Sequence, residues 1–237
     1  MGSESAGTPE VSIVLPIHNQ ADHLERTVVD YLGVLERLRH SFELLLVVNA
    51  SRDDSARIAR ELAARNTHVR VLEDERPGWG RAVLAGFRAS RGRLFAYTNS
   101  ARTNAYTLGL LVLLGLANPG YVWKANRRLR YPFLRRLGSV LYNFECRSLF
   151  GLAVWDVNGT PKVLERDVFE SLALQEEEDL IDLELVVKCQ RRGLQIVEVP
   201  VVSTERHGGR STTTLRSAWR LYRGAFRLWR ELGRESA

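Results

Sequence analysis

The residues best able to do chemistry in the first half of this chain sit in four short clusters. They are Pro16 to Asn19 with His18 between them, Asn49 to Asp54 with Ser51, Gly78-Trp79-Gly80, and Asn99 to Asn104 with Ser100 and Arg102. Small amides, hydroxyls and glycines hold a polar ligand by hydrogen bonds and let backbone approach it closely. A second set follows: Lys124, Asn126, Arg127 and Arg128, then Asp156, Asn158 and Lys162, then Asp182, and finally Arg206, His207, Arg210 and Ser211. Arginine and lysine suit phosphate, arginine through its planar fork of donors. The five histidines, His18, His23, His40, His68 and His207, do not form a metal cluster. No serine–histidine–aspartate or cysteine–histidine pattern is legible either, which leaves hydrolase chemistry with little support.

These clusters need elements to position them. Apolar β-branched runs predict strands over 11–16, 43–48, 69–72, 93–98 and 121–125, and helical spacing predicts helices over 22–39, 53–65, 80–90 and 131–149. Strand and helix alternate at the pace of right-handed βαβ units, so the fold class is α/β with a mostly parallel central sheet flanked by helices. The carboxyl ends of parallel strands share one rim, where open α/β sheets bind their ligands. Each of the four clusters follows a strand. Four such loops in register mark a site better than any one of them.

Further along, Asp182, Leu185, Val186 and Cys189 share one helical face, so Asp182 is expected to point inward. The charge run Glu176 to Asp179 before that helix reads as complementing its dipole. Near the carboxy terminus, Leu215, Ala218, Trp219, Tyr222, Ala225, Phe226 and Trp229 form an apolar stripe beside Arg216, Arg220, Arg223, Arg227, Arg230 and Arg234. Two readings of this helix stand: one lying in a membrane interface with arginines at lipid phosphates, the other closing on the core or on a second subunit with arginines in water.

The chain has 237 residues, 45% of them hydrophobic, within the range of one α/β domain. Residues 1–8 are expected to be disordered, 9–211 to form the domain and 212–237 the basic amphipathic helix. The polar amino terminus does not read as a signal peptide, and the apolar stretch 108–117 is too short to span a bilayer. Cys146 and Cys189 suit a reduced, cytoplasmic protein, peripheral at a membrane surface if the last helix binds one. The net charge of +6 comes from arginine, since Lys124, Lys162 and Lys188 are the only lysines. Nucleic-acid binding rests on charge alone and is not expected.

The order of these segments resembles family 2 of the glycosyltransferases, with the GT-A fold, nearest the dolichol-phosphate mannose synthase branch. The resemblance runs from Val11 to about Ser211. It is carried by the strand and turn 11–19, by 43–54, by Gly78-Trp79-Gly80 with Ala85-Gly86-Phe87, and by 193–201 followed by Arg206 to Ser211. It implies a UDP- or GDP-sugar donor, with Pro16, His18, Asn19, Asn49, Ser51, Asp54, Gly78, Gly80, Asn99, Ser100 and Arg102 on the donor side. An acceptor sugar or polyprenyl phosphate would lie near Lys124, Asn126, Arg128, Asn158, Lys162, Asp182, Arg206, Arg210 and Ser211. Asp156 and Arg127 would act at the reaction centre, with inversion at the anomeric carbon.

The departures matter equally. Family members carry two aspartates, one residue apart, that hold Mg2+ or Mn2+ against the donor diphosphate. Here that place reads Asn99-Ser100-Ala101, and neutral amides and hydroxyls are weak ligands for hard cations. Asn49, Gln20 and Trp79 also stand where the family has two acids and a lysine. No cofactor is therefore expected. Either arginines replace the metal, with Arg102, Lys124, Arg127 and Arg128 as candidates, or the chain is a silent relative that binds a sugar nucleotide or a partner. Asp156 likewise has two readings, a site carboxylate or an ordinary Asp-Val-Asn-Gly turn.

Overall fold

The computed structural model describes residues 7–129, 133–202 and 215–235. Its elements run β1 (Val11–Ile17), α1 (Leu24–Leu35) with a short 3-10 turn, β2 (Phe42–Asn49), α2 (Ser55–Arg65), β3 (Val69–Asp74), α3 (Trp79–Ala89), β4 (Leu94–Tyr97) and α4 (Ala105–Ala117). They continue with β5 (Tyr121–Leu129), α5 (Phe133–Phe150), β6 (Lys162–Glu165), α6 (Arg166–Ser171), α7 (Ile181–Arg191), β7 (Gln195–Val202) and α8 (Leu215–Glu235). The strands form one seven-stranded sheet in the order β3-β2-β1-β4-β6-β5-β7. All neighbours pair in parallel except β6, which runs antiparallel to both β4 and β5.

Strands β1 and β2 are buried along their whole length. A strand covered on both faces must be apolar on both, which is why these segments read as unbroken rather than alternating runs. One face carries α1, α2 and α4 over Ile13, Leu15, Leu44 and Leu46. The other carries α3, α5, α6, α7 and α8 over Val14, Leu45, Val47 and Phe95.

Several expectations are corrected. Strand β5 continues to Leu129, so Asn126 and Arg127 are strand residues rather than a loop after it. Helices α4 and α6 were not anticipated. The stretch at 108–117 belongs to α4, which is apolar on every side and therefore lacks the polar stripe that announces a helix. Glu176 to Asp179 form a loop that bonds through its backbone as well as through the carboxylates of Glu176 and Glu177, which pair with Arg227 and Arg81. The N–H groups of Gly80 and Arg81 donate to the carbonyls of Glu178 (3.1 Å) and Glu177 (2.7 Å), so α3 begins against this loop. Gly80 is required there, because a Cβ would collide with the Glu176 carbonyl oxygen.

Helix α8 packs on the core through Ala225, Leu228 and Leu232. Tyr222 donates to the Gly138 carbonyl at 3.1 Å, and Arg227 pairs with Glu176 at 2.7 Å. Its outer side leaves Trp219, Phe226 and Trp229 exposed. Both cysteines are buried and free. Among the described residues, no helix is long and apolar enough to cross a membrane. The expected boundary at 211/212 and the side chains of Leu215, Arg216, Ala218 and Arg234 lie outside the described residues.

Candidate active site

A cavity of about 460 Å³ opens at the rim formed by the carboxyl ends of the parallel strands. Pro16, His18, Gln20, Asn49, Gly78, Trp79 and Asn99 line it together with Arg127, Asn158, Thr160, Glu178, Asp179, Asp182, Arg220 and Leu221. A larger groove of about 680 Å³ runs between α5 and α8, lined by aromatic and arginine side chains. The rim cavity is the candidate site because polar groups from eight separate segments converge there.

The first wall is built from loops tied to one another. His18 Nδ1 donates to the Asn49 carbonyl (2.8 Å), and the Asn19 N–H donates to Ser51 Oγ (3.1 Å) while its Oδ1 accepts from the Arg52 N–H (2.7 Å). Asn49 Nδ2 donates to the Gly78 carbonyl at 3.1 Å, and its buried Oδ1 has no partner. His18, Asn49 and Gly78 thus reach the cavity, whereas Asn19 and Ser51 act as ties between the loops and Gly80 seats α3. Asp54 sits apart, exposed at the start of α2 and paired with Arg57 at 3.2 Å.

The loop after β4 shows what has replaced the expected carboxylates. Asn99 donates to Thr160 Oγ1 at 2.6 Å, and its Oδ1 accepts from the Arg102 N–H at 3.0 Å. Ser100 is buried and bonds Gln20 Oε1, with His23 Nε2 at 3.4 Å. Tyr31 anchors the same loop by donating to the Thr103 carbonyl at 3.0 Å. Of this loop Asn99 lines the cavity, Ser100 is turned towards α1, and Arg102 borders a small cleft with Asn99 and Arg127. A divalent cation does not fit this donor set: the loop offers no carboxylate and its oxygens are already accepting or donating within the protein. Among the described residues no three or more His, Cys, Asp and Glu side chains are grouped as metal ligands.

The second wall rests on a row of polar side chains set by strand register. Tyr97 of β4 stands opposite Lys162 of β6, Lys162 opposite Lys124 of β5, and Lys124 opposite Glu198 of β7. Side chains in register point to one face. On that face Lys162 Nζ (2.5 Å) and the Tyr97 hydroxyl (2.8 Å) both donate to Asp182 Oδ1 from α7. Lys124 Nζ donates to Glu198 Oε1 at 2.8 Å and to the Asp156 carbonyl. Asp156 grips Arg127: Nε to Oδ2 at 2.7 Å, Nη2 to Oδ1 at 2.8 Å, and the Arg127 N–H to Oδ2 at 3.0 Å. Burial pushes Lys162 down to about 8 and also lowers Lys124, although Asp182 and Glu198 work the other way. Burial acts against the charge of Arg127 too, but Asp156 holds it above the usual guanidinium value.

This row revises four expected roles. Lys124 and Lys162 are fully buried in ion pairs, so neither is placed to meet a phosphate. Asn126 is buried and turned towards Glu198 (3.4 Å). Asp156 is buried beneath Arg127 rather than lining the cavity. Asp182 does point inward and reaches the cavity wall, as the helical spacing implied. Asn158 lines the cavity with an unpartnered, buried Oδ1. The side chain of Arg128, and Arg206, His207, Arg210 and Ser211, lie outside the described residues.

Glu178, Asp179, Thr160, Arg220 and Glu198 escaped sequence reasoning. Glu178 and Asp179 were assigned to a helix dipole, yet both line the cavity, and burial at its wall raises the Asp179 carboxyl against the pull of Arg220. Glu198 carried a signal in being an acid within the apolar segment Gln195–Val202, but only the register with Lys124 explains it.

Residues 12–100 match the model of Glycosyl transferase family 2. Glycosyltransferase AglD of Haloferax volcanii is 30% identical over 208 residues, covering 83% of this chain and 33% of that protein, so the chain spans about a third of that relative's length. A dolichyl-phosphate hexose transferase of Haloferax volcanii is 26% identical over 205 residues, covering 84% of this chain and 85% of the relative. Glucosyl-3-phosphoglycerate synthase from Mycobacterium tuberculosis, solved with Mn2+, UDP and phosphoglyceric acid, superposes with a TM-score of 0.72 at 20% identity, covering 93% of this chain and 77% of that one.

Proposed function

Because this chain belongs to glycosyltransferase family 2 and has the GT-A fold, we propose that it moves a sugar from a UDP- or GDP-sugar to a lipid phosphate, with inversion. The observation that carries the reading is the rim cavity, where loops rich in amides and glycine face an arginine backed by a buried carboxylate. The nucleotide lies against Pro16, His18, Asn49 and Gly78. Arg127 takes the part of the missing metal: with Nε and one Nη2 hydrogen given to Asp156, its remaining Nη1 and Nη2 hydrogens meet the diphosphate as negative charge develops on the leaving group. Arg220, entering the cavity from α8, adds a second positive charge. An acceptor phosphate is already anionic: its oxygen attacks the anomeric carbon, the nucleoside diphosphate departs, and no proton need be removed. With a hydroxyl acceptor a base is required, and Asp179 is the cavity carboxylate whose raised proton affinity suits it. A dolichyl-phosphate hexose transferase among the relatives supports the lipid-phosphate reading.

UDP or GDP at millimolar concentration is expected to raise the melting temperature, since a ligand of the folded state stabilises it by mass action. The rise should persist in a chelator. A panel of nucleotides without any shift would remove the donor site, and a shift or turnover abolished by chelator and restored by Mn2+ would reinstate the metal. A donor that binds but is never transferred, with any lipid or sugar acceptor, favours the silent-relative reading.

The surface beside the cavity fits a membrane acceptor. Helix α8 sends Arg220 and Leu221 into the site and leaves Trp219, Phe226 and Trp229 exposed, and α5 exposes Val140, Leu141 and Phe144. Rings at headgroup depth with arginines at lipid phosphates would hold the protein at a cytoplasmic membrane surface. Sedimentation with anionic vesicles is expected to carry the protein down, more weakly in high salt, and replacing Trp219, Phe226 and Trp229 with alanine should leave it in the supernatant. Equal sedimentation of the two proteins would end this assignment.

A further inference from the structure

We infer that Glu198, on the outer strand β7, is a positioning residue that sets Arg127 in the cavity by holding the peptide of Asp156. The inference rests on the sugar-transfer reading above. Glu198 is absent from the cavity lining and touches no reacting group. Its Oε1 accepts from the Asp156 N–H (3.0 Å) and from Lys124 Nζ (2.8 Å), and its Oε2 accepts from the Trp155 N–H (2.8 Å). Lys124 in turn donates to the Asp156 carbonyl. Both polar backbone atoms of Asp156 are therefore fixed, the N–H by Glu198 and the carbonyl by Lys124. The carboxylate between them meets Arg127 at 2.7 and 2.8 Å.

The segment carrying Asp156 has no strand or helix to hold it. Side-chain oxygens do so instead: Gln190 accepts from the Ala153 N–H (3.2 Å), Glu198 from Trp155 and Asp156, and Asn143 from the Val157 N–H (3.0 Å). Of these, Glu198 is the one whose charge also keeps Lys124 in place. The parallel register of β5 and β7, which sets Lys124 opposite Glu198, thereby reaches the cavity through three contacts in series: Glu198 to Asp156, Asp156 to Arg127, and Arg127 to the cavity wall.

The test compares Glu198→Gln with the double variant Lys124→Met/Glu198→Gln, which leaves no unpaired buried cation. In a folded Glu198→Gln protein, kcat should fall by at least about tenfold with the donor KM changed by no more than about threefold. Solvent exchange of the Arg127 Nε–H, followed by NMR, should quicken. The double variant should recover melting temperature without recovering kcat, because the Asp156 N–H has lost its charged acceptor and the Asp156 carbonyl its lysine donor, leaving the Gly159 N–H alone on that carbonyl. Unchanged kcat and exchange in folded Glu198→Gln would overturn the inference, as would a double variant that recovers both stability and kcat. If the unmutated protein transfers no sugar, the sugar-transfer reading fails, and the Arg127 exchange rate still decides the positioning role.

Discussion

An Asp156→Asn protein is expected to turn over its donor at least about tenfold more slowly, a loss of roughly 1.4 kcal/mol in transition-state stabilisation, while binding nucleotide with nearly unchanged affinity. Asp156 gives Arg127 two side-chain hydrogen bonds and a full countercharge. Asparagine preserves size and one acceptor, but it turns an amide NH2 towards the guanidinium and removes the charge. Losing one partner of a fully buried pair costs about 3–5 kcal/mol. Arg127 opens onto the cavity, so part of that cost is relieved by water, and the guanidinium is left free to turn. Its aim at the diphosphate suffers before the fold does. The nucleotide contacts proposed at His18, Asn49 and Gly78, which line the same cavity, are untouched. Steady-state kinetics beside calorimetric titration of UDP and GDP separates the two effects. If Asp156 only starts a turn, asparagine serves equally well there, and unchanged turnover with an unchanged melting temperature would retire it from the site.

Gly159→Ala is expected to be the most damaging single-methyl change near the site. A Cβ at position 159 would run into the Ala125 carbonyl oxygen, with the Ala125 carbonyl carbon at 3.0 Å and the Asp156 oxygen at 3.1 Å. None of these is the end of a flexible side chain. The Ala125 peptide is held in place by its N–H, which donates to the Pro161 carbonyl at 3.0 Å, and the Gly159 N–H closes the turn onto Asp156 at 2.9 Å. Overpacking that backbone must move costs about 3 kcal/mol, which in a domain of this size lowers the melting temperature by about 6–12 °C. Differential scanning calorimetry reads the shift directly. A loss of less than about 1 kcal/mol would show that the turn and β5 part more easily than their hydrogen bonds imply.

The half of the cavity proposed for the donor was legible because its signals are local. A buried parallel strand announces itself as an apolar run, and its exit loop as turn formers, so the positions of His18, Asn49, Gly78 and Asn99 follow from β1 to β4 alone. The half around Arg127 depends on partners far apart in the chain. Sequence shows that Lys124 and Lys162 are charged, but not that Glu198 and Asp182 stand opposite them, and so both lysines read as phosphate ligands. The acids at 178 and 179 precede a helix, where a dipole explanation is always at hand, and only the folded loop reveals that they face the cavity. Helix α4 was hidden for the opposite reason: apolar on every side, it has no period to detect.

The place of β6 in the sheet bears on the order in which the molecule can assemble. β1 to β4 lie side by side and can pair as the chain emerges, each strand meeting a neighbour already made. β5 has no such neighbour: one of its edges waits for β6, which begins at Lys162, and the other for β7, which begins at Gln195. Until both arrive, β5 is an open template for another chain, the kind of exposed edge that aggregation exploits. Arg127 lies on that strand, and Glu198 is delivered by the last strand to join. A nascent chain that has completed the loops after β1 to β4 therefore still lacks the frame that holds Arg127, and on the proposed reading competence for transfer comes only with the closing of the sheet.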